Sequence, residues 1–325
     1  VRVGMLLTSP AGNDLPFDEA LCEQGRNFSN KIWNALRLIK GWKVDEKLKQ
    51  PVSSKVSMDW FSAKLNEAMM ILDDQYEKYR ISDALMVVYR LVWDDFCSWY
   101  LEMIKPGYQQ PIDKQTHEAT ITFFTRLMQL LHPFIPFIRE EIWHLIEDRN
   151  EEDCITISRM PEKQEYNEDI LKRFDFAREV IMAIRNMRKE KNIPPREMLV
   201  LSIKKNLGER PDLTFDPVVE KLTNLSEINY VNEKVDGAIT FIVKSSEFYV
   251  PANQSIDLEA ELAKLQEELK YTKGFLSGVM KKLGNERFVQ NAPEKVVQLE
   301  QKKKADAEAR IKVLTEQIKS LTTSL

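Results

Sequence analysis

The sequence predicts a mainly α protein: a helical bundle, then a small α/β unit, then an antiparallel coiled-coil hairpin. Three observations carry this expectation. Apolar residues recur at three- and four-residue steps throughout residues 1–150, the period of one helix face. β-rich runs cluster between residues 199 and 250, and two heptad seams close the chain around a short break bearing glycine and proline. Only 10 glycines among 325 residues, set against abundant Leu, Lys and Glu, favour helix over sheet.

Each element follows from its stripe and its stop signal. Asp18 is placed to cap a first helix with Phe28, Ile32, Ala35, Leu36 and Ile39 on one face, and Gly41 ends it. Ser57 is read as the start of a second helix with Phe61, Leu65, Ala68, Leu72 and Tyr76 as its stripe. Ser82 is read as the start of a third, with Leu85, Val88, Val92, Phe96 and Met103 inward, stopped by Pro106-Gly107. The fourth runs through Ile121, Phe124, Leu127 and Leu131 and breaks at Pro133 and Pro136. A short fifth carries Ile138, Ile142 and Leu145. Helices with one apolar stripe and modest loops must pack on one another, so residues 1–150 are expected to form a bundle.

Residues 151–253 change texture. A helix with Phe176, Val180, Ala183, Ile184 and Met187 meets Asn192-Ile193-Pro194-Pro195, which no helix survives. Strands are expected at 199–203, 228–231, 239–243 and 248–250, with a helix at 218–225 between the first two. In residues 254–325 the seam Leu258, Leu262, Leu265, Leu269, Thr272, Leu276, Val279, Leu283 is followed, after 284–293, by Ala307, Ile311, Leu314, Ile318, Leu321 and Leu325. The intervening segment is short enough to be a turn, so the two helices are expected to fold back on each other, with a first arm roughly 40 Å long. Gly274 and Gly278 weaken that arm, and Glu300 and Lys304 leave the second helix poorly seamed.

Composition narrows the function classes. A net charge of −4 and a pI near 5.7 mean that any contact with nucleic acid comes from local basic faces and not from a global field. Cys22, Cys97 and Cys154 are odd in number and far apart, which fits a reducing cytoplasm and gives no zinc-type spacing. No apolar run approaches the roughly 18 residues of a membrane span. The chain opens on Val1 and is read as a piece of a longer protein.

No catalytic set is expected. His117, His132 and His144 each stand alone among helical residues, and the pairs Asp73-Asp74 and Asp94-Asp95 are adjacent helical positions that point apart. Phosphate-cradling and nucleophile-elbow motifs are missing. Basic residues interleaved with polar ones carry more information. Lys31 and Arg37 share the first helix with Asn27 and Asn34; Arg185 and Arg188 lie three residues apart before the Pro-Pro corner. Lys281, Lys282, Arg287 and Lys295 gather around the coiled-coil turn. Such clusters displace counterions from a polyanion, while the plainer reading of each alone is a solvated helix face. For Trp33, Trp60, Trp93, Trp99 and Trp143, core packing is the better default than base stacking.

Several stretches resemble a known family more specifically than their physics alone requires. Residues 2–14 (RVGMLL, then SPAGND), 26–37 (RNFSNKIWNALR), 93–102 (WDDFCSWYLE), 130–143 (LLHPFIPFIREEIW) and 283–297 (LGNERFVQNAPEKVV) occur in order over nearly the whole chain. They resemble the region of class I valine–tRNA ligases that follows the catalytic domain, with its anticodon-binding bundle and C-terminal coiled-coil arm. The two ATP-handling signatures of that family are not present; the nearest text, Ser53-Ser-Lys-Val-Ser57, has the wrong residues. The resemblance implies a chain inactive by itself, with ATP and magnesium used by catalytic and editing domains elsewhere in the parent. It implies valine-accepting tRNA as partner, a monomer, and a cytoplasmic location. It also assigns Asn27, Lys31, Asn34 and Arg37 to the bundle side, Arg185 and Arg188 to the anticodon neighbourhood, and Lys281, Lys282, Arg287 and Lys295 to the arm. The competing expectation is a helical scaffold that dimerises through its coiled coil; the short turn at 284–293 argues against it by letting the seam close within one chain.

Overall fold

A computed structural model of the chain describes residues 1–8, 19–150, 152–205, 212–251 and 258–284, and residues 299–301, 303–305, 307, 308, 311, 314, 315, 318 and 319. The elements follow in order. Helices α1 (Arg2–Thr8) and α2 (Glu19–Lys40) precede a short strand β1 (Val44–Asp45) and the long α3 (Val52–Glu77). Helix α4 (Ile81–Arg90) runs without a break into a π-helix (Leu91–Tyr100) and one further turn, α5 (Leu101–Ile104). Strand β2 (Ile112–Asp113) leads into α6 (Lys114–Leu131) and α7 (Pro136–Ile146). Then come α8 (Glu168–Glu190), β3 (Leu199–Lys204), α9 (Asp216–Thr223), β4 (Leu225–Val231), β5 (Ala238–Val243), β6 (Ser246–Pro251) and α10 (Leu258–Leu283).

The chain divides into two compact units, Val1–Ile181 with Asp212–Leu222, and Met182–Pro211 with Thr223–Leu325. The first part of α8, and α9, were expected with the small α/β unit and instead join the bundle. Aromatic packing accounts for this: Phe174 lies 4.2 Å from Trp60, meets Trp99 edge-on at 5.5 Å and lies 5.3 Å from Phe215, ring centroid to centroid. Phe174 is buried and Phe176 is not, so the inward stripe of α8 starts two residues before the one read from the sequence.

The bundle core is aromatic. Phe61 of α3 sits 5.2 Å from Phe96, 4.9 Å from Tyr100 and 5.1 Å from Phe123, and Phe96 stacks on Phe124 at 5.6 Å. Each such ring pair adds about 0.5–1.5 kcal/mol beyond the area it buries. The first three stripes face inward as expected, and Phe28, Ile32, Phe61, Leu65, Leu85, Val88, Val92 and Phe96 are fully buried. The buried Tyr100 hydroxyl is 2.8 Å from Thr120 Oγ1, which donates to the Thr116 carbonyl at 2.7 Å.

Two expected helix starts move, and a third lies outside the described residues. Asp18 is outside them. Helix α3 begins at Val52 behind Pro51, whose extended backbone (φ −63, ψ 143) sets the entry. Ser57 is therefore inside the helix and buried, its hydroxyl donating to the Ser53 carbonyl at 2.6 Å. Helix α4 begins one residue before Ser82, after Arg80. The π-helix that continues it was not expected: ten residues of wide turns place Leu91, Val92, Phe96 and Tyr100 all inward.

At the joint between α6 and α7, Arg139 is fully buried. Its guanidinium donates to the carbonyls of Ile135 (2.6 Å), Met128 (2.7 Å) and His132 (2.5 Å). These oxygens lie at the end of α6 and in the proline-broken corner, where helical partners run out. Asp113 caps the other end of α6, accepting from the Thr116 amide at 2.9 Å.

In the second unit the four strands are ordered β4-β3-β6-β5. β3 and β4 are parallel, Ile203 facing Tyr230, and the remaining pairs are antiparallel, with Phe241 facing Phe248. Lys244 adopts the left-handed conformation (φ 52) in the tight turn from β5 to β6. In the arm, every described residue between 299 and 319 is helical. Glu300 is buried and joins Lys303 (2.7 Å) and Lys282 at the end of α10 (4.0 Å). The Lys282–Glu300 contact links the end of α10 to the helical residues described from 299 on, as a hairpin requires, and Glu300 is buried although its sequence position did not announce it.

Two stability predictions follow from the bundle. Arg139→Ala should cost about 3–5 kcal/mol in urea unfolding, because the joint loses its donors while its carbonyls stay buried; a loss below about 1 kcal/mol would mean that water replaces the fork. The second concerns Asp95, whose carboxyl burial pushes up to about 6 against the pull of Lys64 and Arg178. The folded state then holds this proton more tightly than the unfolded chain does, so its stabilising contribution is present at low pH and lost as pH rises towards and through about 6. Asp95→Asn should therefore raise Tm at about pH 7 and give no gain at about pH 4. Equal gains at both values would assign the effect to packing.

Candidate nucleic-acid interface

Three basic regions were expected, and each is placed differently by its local fold. On α2 the buried residues Phe28, Ile32 and Ala35 turn the opposite surface outward. Asn27, Lys31 and Asn34 follow one another at steps of four and three along that helix, so they share a face. Asn27, Asn34 and Arg37 are exposed and Lys31 is half-buried. Lys31 Nζ donates to Ser98 Oγ at 3.1 Å and lies 4.3 Å above the Trp93 ring centroid. Both partners belong to the π-helix, where Ser98 Oγ donates in turn to the Trp93 carbonyl at 2.8 Å. Trp93 stacks nearly parallel on Tyr89 (5.7 Å, 7°), and Tyr89 lies 4.5 Å from Phe28. The result is a ladder of rings rising from the core to a half-exposed indole under an ammonium group, with two amide side chains beside it.

In the second unit, Arg185 and Arg188 separate. Arg185 is exposed, whereas Arg188 is buried with a relative exposure of 5%. The Arg188 guanidinium donates to the carbonyls of Pro194 (3.1 Å), Thr223 (2.8 Å) and Asn224 (3.2 Å). Asn224, itself left-handed (φ 53), turns its amide to the carbonyl of Arg196 at 2.9 Å and to those of Pro195 and Glu197 at 3.3 Å. Arg188 thus ties the Pro-Pro corner from within, and this corrects its expected outward role. Burial also lowers its pKa, although the group keeps its charge. Around it Arg185, Lys189 and Arg196 are exposed and Lys191 half-buried, so the basic surface at this corner stands on a frame that Arg188 braces.

On the arm, Lys281 and Lys282 are exposed at the end of α10, and Lys282 leans towards Glu300. Arg287 and Lys295 lie outside the described residues. Tyr271 and Phe275, passed over because they fall off the heptad seam, are exposed one helical turn apart. Beside them, no described atom lies within 4 Å of where a Cβ would stand on Gly274 or Gly278. The seam residues Leu265 and Val279 are buried.

The remaining candidates offer no chemistry together. His144 pairs with Glu140 at 3.3 Å, and burial lowers the pKa of His132. Asp94 is exposed while Asp95 is half-buried, as adjacent helical positions require. Among the described residues no group of three or more His, Cys, Asp or Glu could hold a metal ion, and no helix is long and apolar enough to cross a membrane.

Comparison with known proteins finds two family matches along the chain. Residues 59–204 match the anticodon-binding domain of tRNA ligases. Residues 257–322 match the tRNA-binding arm of valyl-tRNA synthetases. The chain belongs to the valyl-tRNA synthetase family, in its C-terminal region. Valine–tRNA ligases of Parabacteroides distasonis and Porphyromonas gingivalis are 52% and 49% identical to it, over 99% and 100% of this chain. That of Clostridium tetani is 35% identical over 98% of the chain. The chain spans just over a third of the length of these relatives (36–37%).

The division of labour between the two arginines can be tested directly. Arg188→Ala should lower Tm by several degrees, in line with loss of a buried, hydrogen-bonded charge. Arg185→Ala, at an exposed position, should lower Tm much less than Arg188→Ala. If Arg188→Ala melts with the unaltered chain, its fork does not brace the corner.

Proposed function

We propose that this chain binds a valine-accepting tRNA at two places, the anticodon arm through the bundle and the outer corner of the molecule through the coiled-coil arm. The observation that carries the reading is the pair of domain matches in order along one chain, anticodon-binding at 59–204 and tRNA-binding arm at 257–322. Anticodon bases are unpaired, so hydrogen bonds and stacking can read them without opening a duplex. The exposed Asn27, Asn34 and Arg37 supply such groups in the bundle, and Lys281 and Lys282 supply phosphate contacts that position RNA without reading its sequence.

In the whole protein this chain presents the tRNA to a centre outside it, where ATP and magnesium drive the attachment of valine. By itself it is inactive, works as a monomer, and belongs in the cytoplasm. The Lys282–Glu300 pair supports a seam closed within one chain over a dimerising scaffold. A monomeric mass in solution is the expected outcome of this reading, and a dimeric mass would favour the scaffold.

The test is binding of the chain to valine tRNA and to a non-cognate tRNA across a salt series. The expected result is preference for valine tRNA with affinity falling as salt rises; absence of binding at low salt would refute the proposal. The double change Lys281→Ala, Lys282→Ala should weaken both tRNAs and flatten the salt slope by about two. An unchanged slope removes these lysines from the contact surface.

A further inference from the structure

Trp93 and Trp99 are the two large apolar side chains of the π-helix that stop short of full burial; Trp99 packs edge-on against Phe174, whereas Trp93 lies under Lys31. Leu91, Val92, Phe96 and Tyr100 are all at most 1% exposed, while Trp93 is half-exposed. A run of ten π-helical residues is rare, and such wide turns are frequent at functional sites. Here Trp93 and Ser98 lie five residues apart and are joined by the Ser98 hydroxyl on the Trp93 carbonyl. Over the indole lies Lys31, held there by its ring contact and its hydrogen bond to Ser98. An ammonium is strongly hydrated and on a flexible stem, so it is a removable cover. Beneath the indole, Tyr89 supports the ring nearly in parallel.

We propose that Trp93 is a stacking platform for one unpaired nucleotide of the bound RNA, covered by Lys31 in the free protein. When the base arrives, Lys31 leaves the ring for a phosphate, so its charge changes partner and is not buried alone. Asn27 and Asn34, one turn to either side of Lys31 and exposed on the same face, offer amide donors and acceptors to the edge of the stacked base. The exchange favours RNA because stacking on an indole is sequence-tolerant and stronger than a half-exposed cation contact. The inference rests on the reading of this bundle as an anticodon-binding domain, and adds which ring receives a base and what must move first.

The experiment measures binding of the full 325-residue chain to a hairpin RNA carrying the anticodon loop of a valine tRNA. A second hairpin of the same backbone has its anticodon positions abasic. The unaltered chain should prefer the intact hairpin. Trp93→Leu should lose roughly tenfold in affinity for the intact hairpin and little for the abasic one, while Trp93→Phe, which keeps a ring, should retain most of the preference. Lys31→Met should keep the preference while flattening the salt slope by about one. If Trp93→Leu keeps the full preference, the platform is refuted while anticodon reading stands. If the unaltered chain shows no preference, both fail together. If Trp93→Leu does not fold, loss of preference in Trp93→Phe refutes the platform and its retention supports it. A Lys31→Met chain that loses the preference as Trp93→Leu does would make the lysine the reader and overturn the exchange.

Discussion

Both units depend on how a helix ends at a proline corner. The last carbonyls of a helix have no amide to accept from, and proline removes one more donor just where the chain turns. At the joint after α6 the deficit is met by Arg139, and Arg188 meets it at the end of α9, through Thr223 and Asn224, while also taking the Pro194 carbonyl of the corner after α8. In each case one planar fork reaches several carbonyls that no lysine could serve together. Burying a guanidinium is expensive, and here the cost is offset because its donors meet oxygens that would themselves be costly to leave bare. Burial pulls Arg139 down to about 9, which leaves it charged at neutral pH. Without these two forks, the carbonyls at the entry to α7 and around the Pro-Pro corner would lose their side-chain donors.

A rigid frame of this kind suits a protein that positions a large, flexible ligand. RNA brings its own charge and its own conformational freedom, so the protein gains by holding contact groups in place before binding. The bundle does so through rings: Phe28, Tyr89 and Trp93 form a continuous path outward from the core, ending under Lys31, whose helix carries Asn27 and Asn34 on the same face. The arm does so through length and a hairpin closed around the buried Glu300. With a net charge of −4 there is no overall attraction for a polyanion, and these local groups must suffice.

Much of this was legible in the sequence. The stripes through Phe28, Phe61 and Phe96 predicted the helices and their inward faces, because burying apolar area dominates where a helix points. The four strands came out where β-branched runs placed them, except that β4 begins at Leu225, which the sequence had put at the end of the preceding helix; that helix, α9, runs from Asp216 to Thr223. One of the stretches that carried the family resemblance also builds a corner: LLHPFIPFIREEIW contains Arg139. What escaped was whatever depends on a partner far away in the chain. Arg185 and Arg188 look equivalent in sequence, and only the carbonyls of Thr223 and Asn224 draw the second inside. Ser57 reads as a cap but is core, since the proline six residues earlier had already started the helix. Phe176 and Phe174 compete for one stripe, and Trp60 and Trp99 decide between them.

The sequence by itself determined the class of fold, the order of its parts, the inward faces of its helices, and the family, since all of these rest on local periodicity, stop signals and contiguous motifs. Only the tertiary structure decided which basic residues face solvent, that α4 widens into a π-helix, and that Trp93 stands at the surface beneath Lys31. The physical reason is that periodicity reports a side chain's direction from its own helix axis. What it meets there is set by segments tens to more than a hundred residues away, and those contacts, not the direction, separate a buried brace from a binding group.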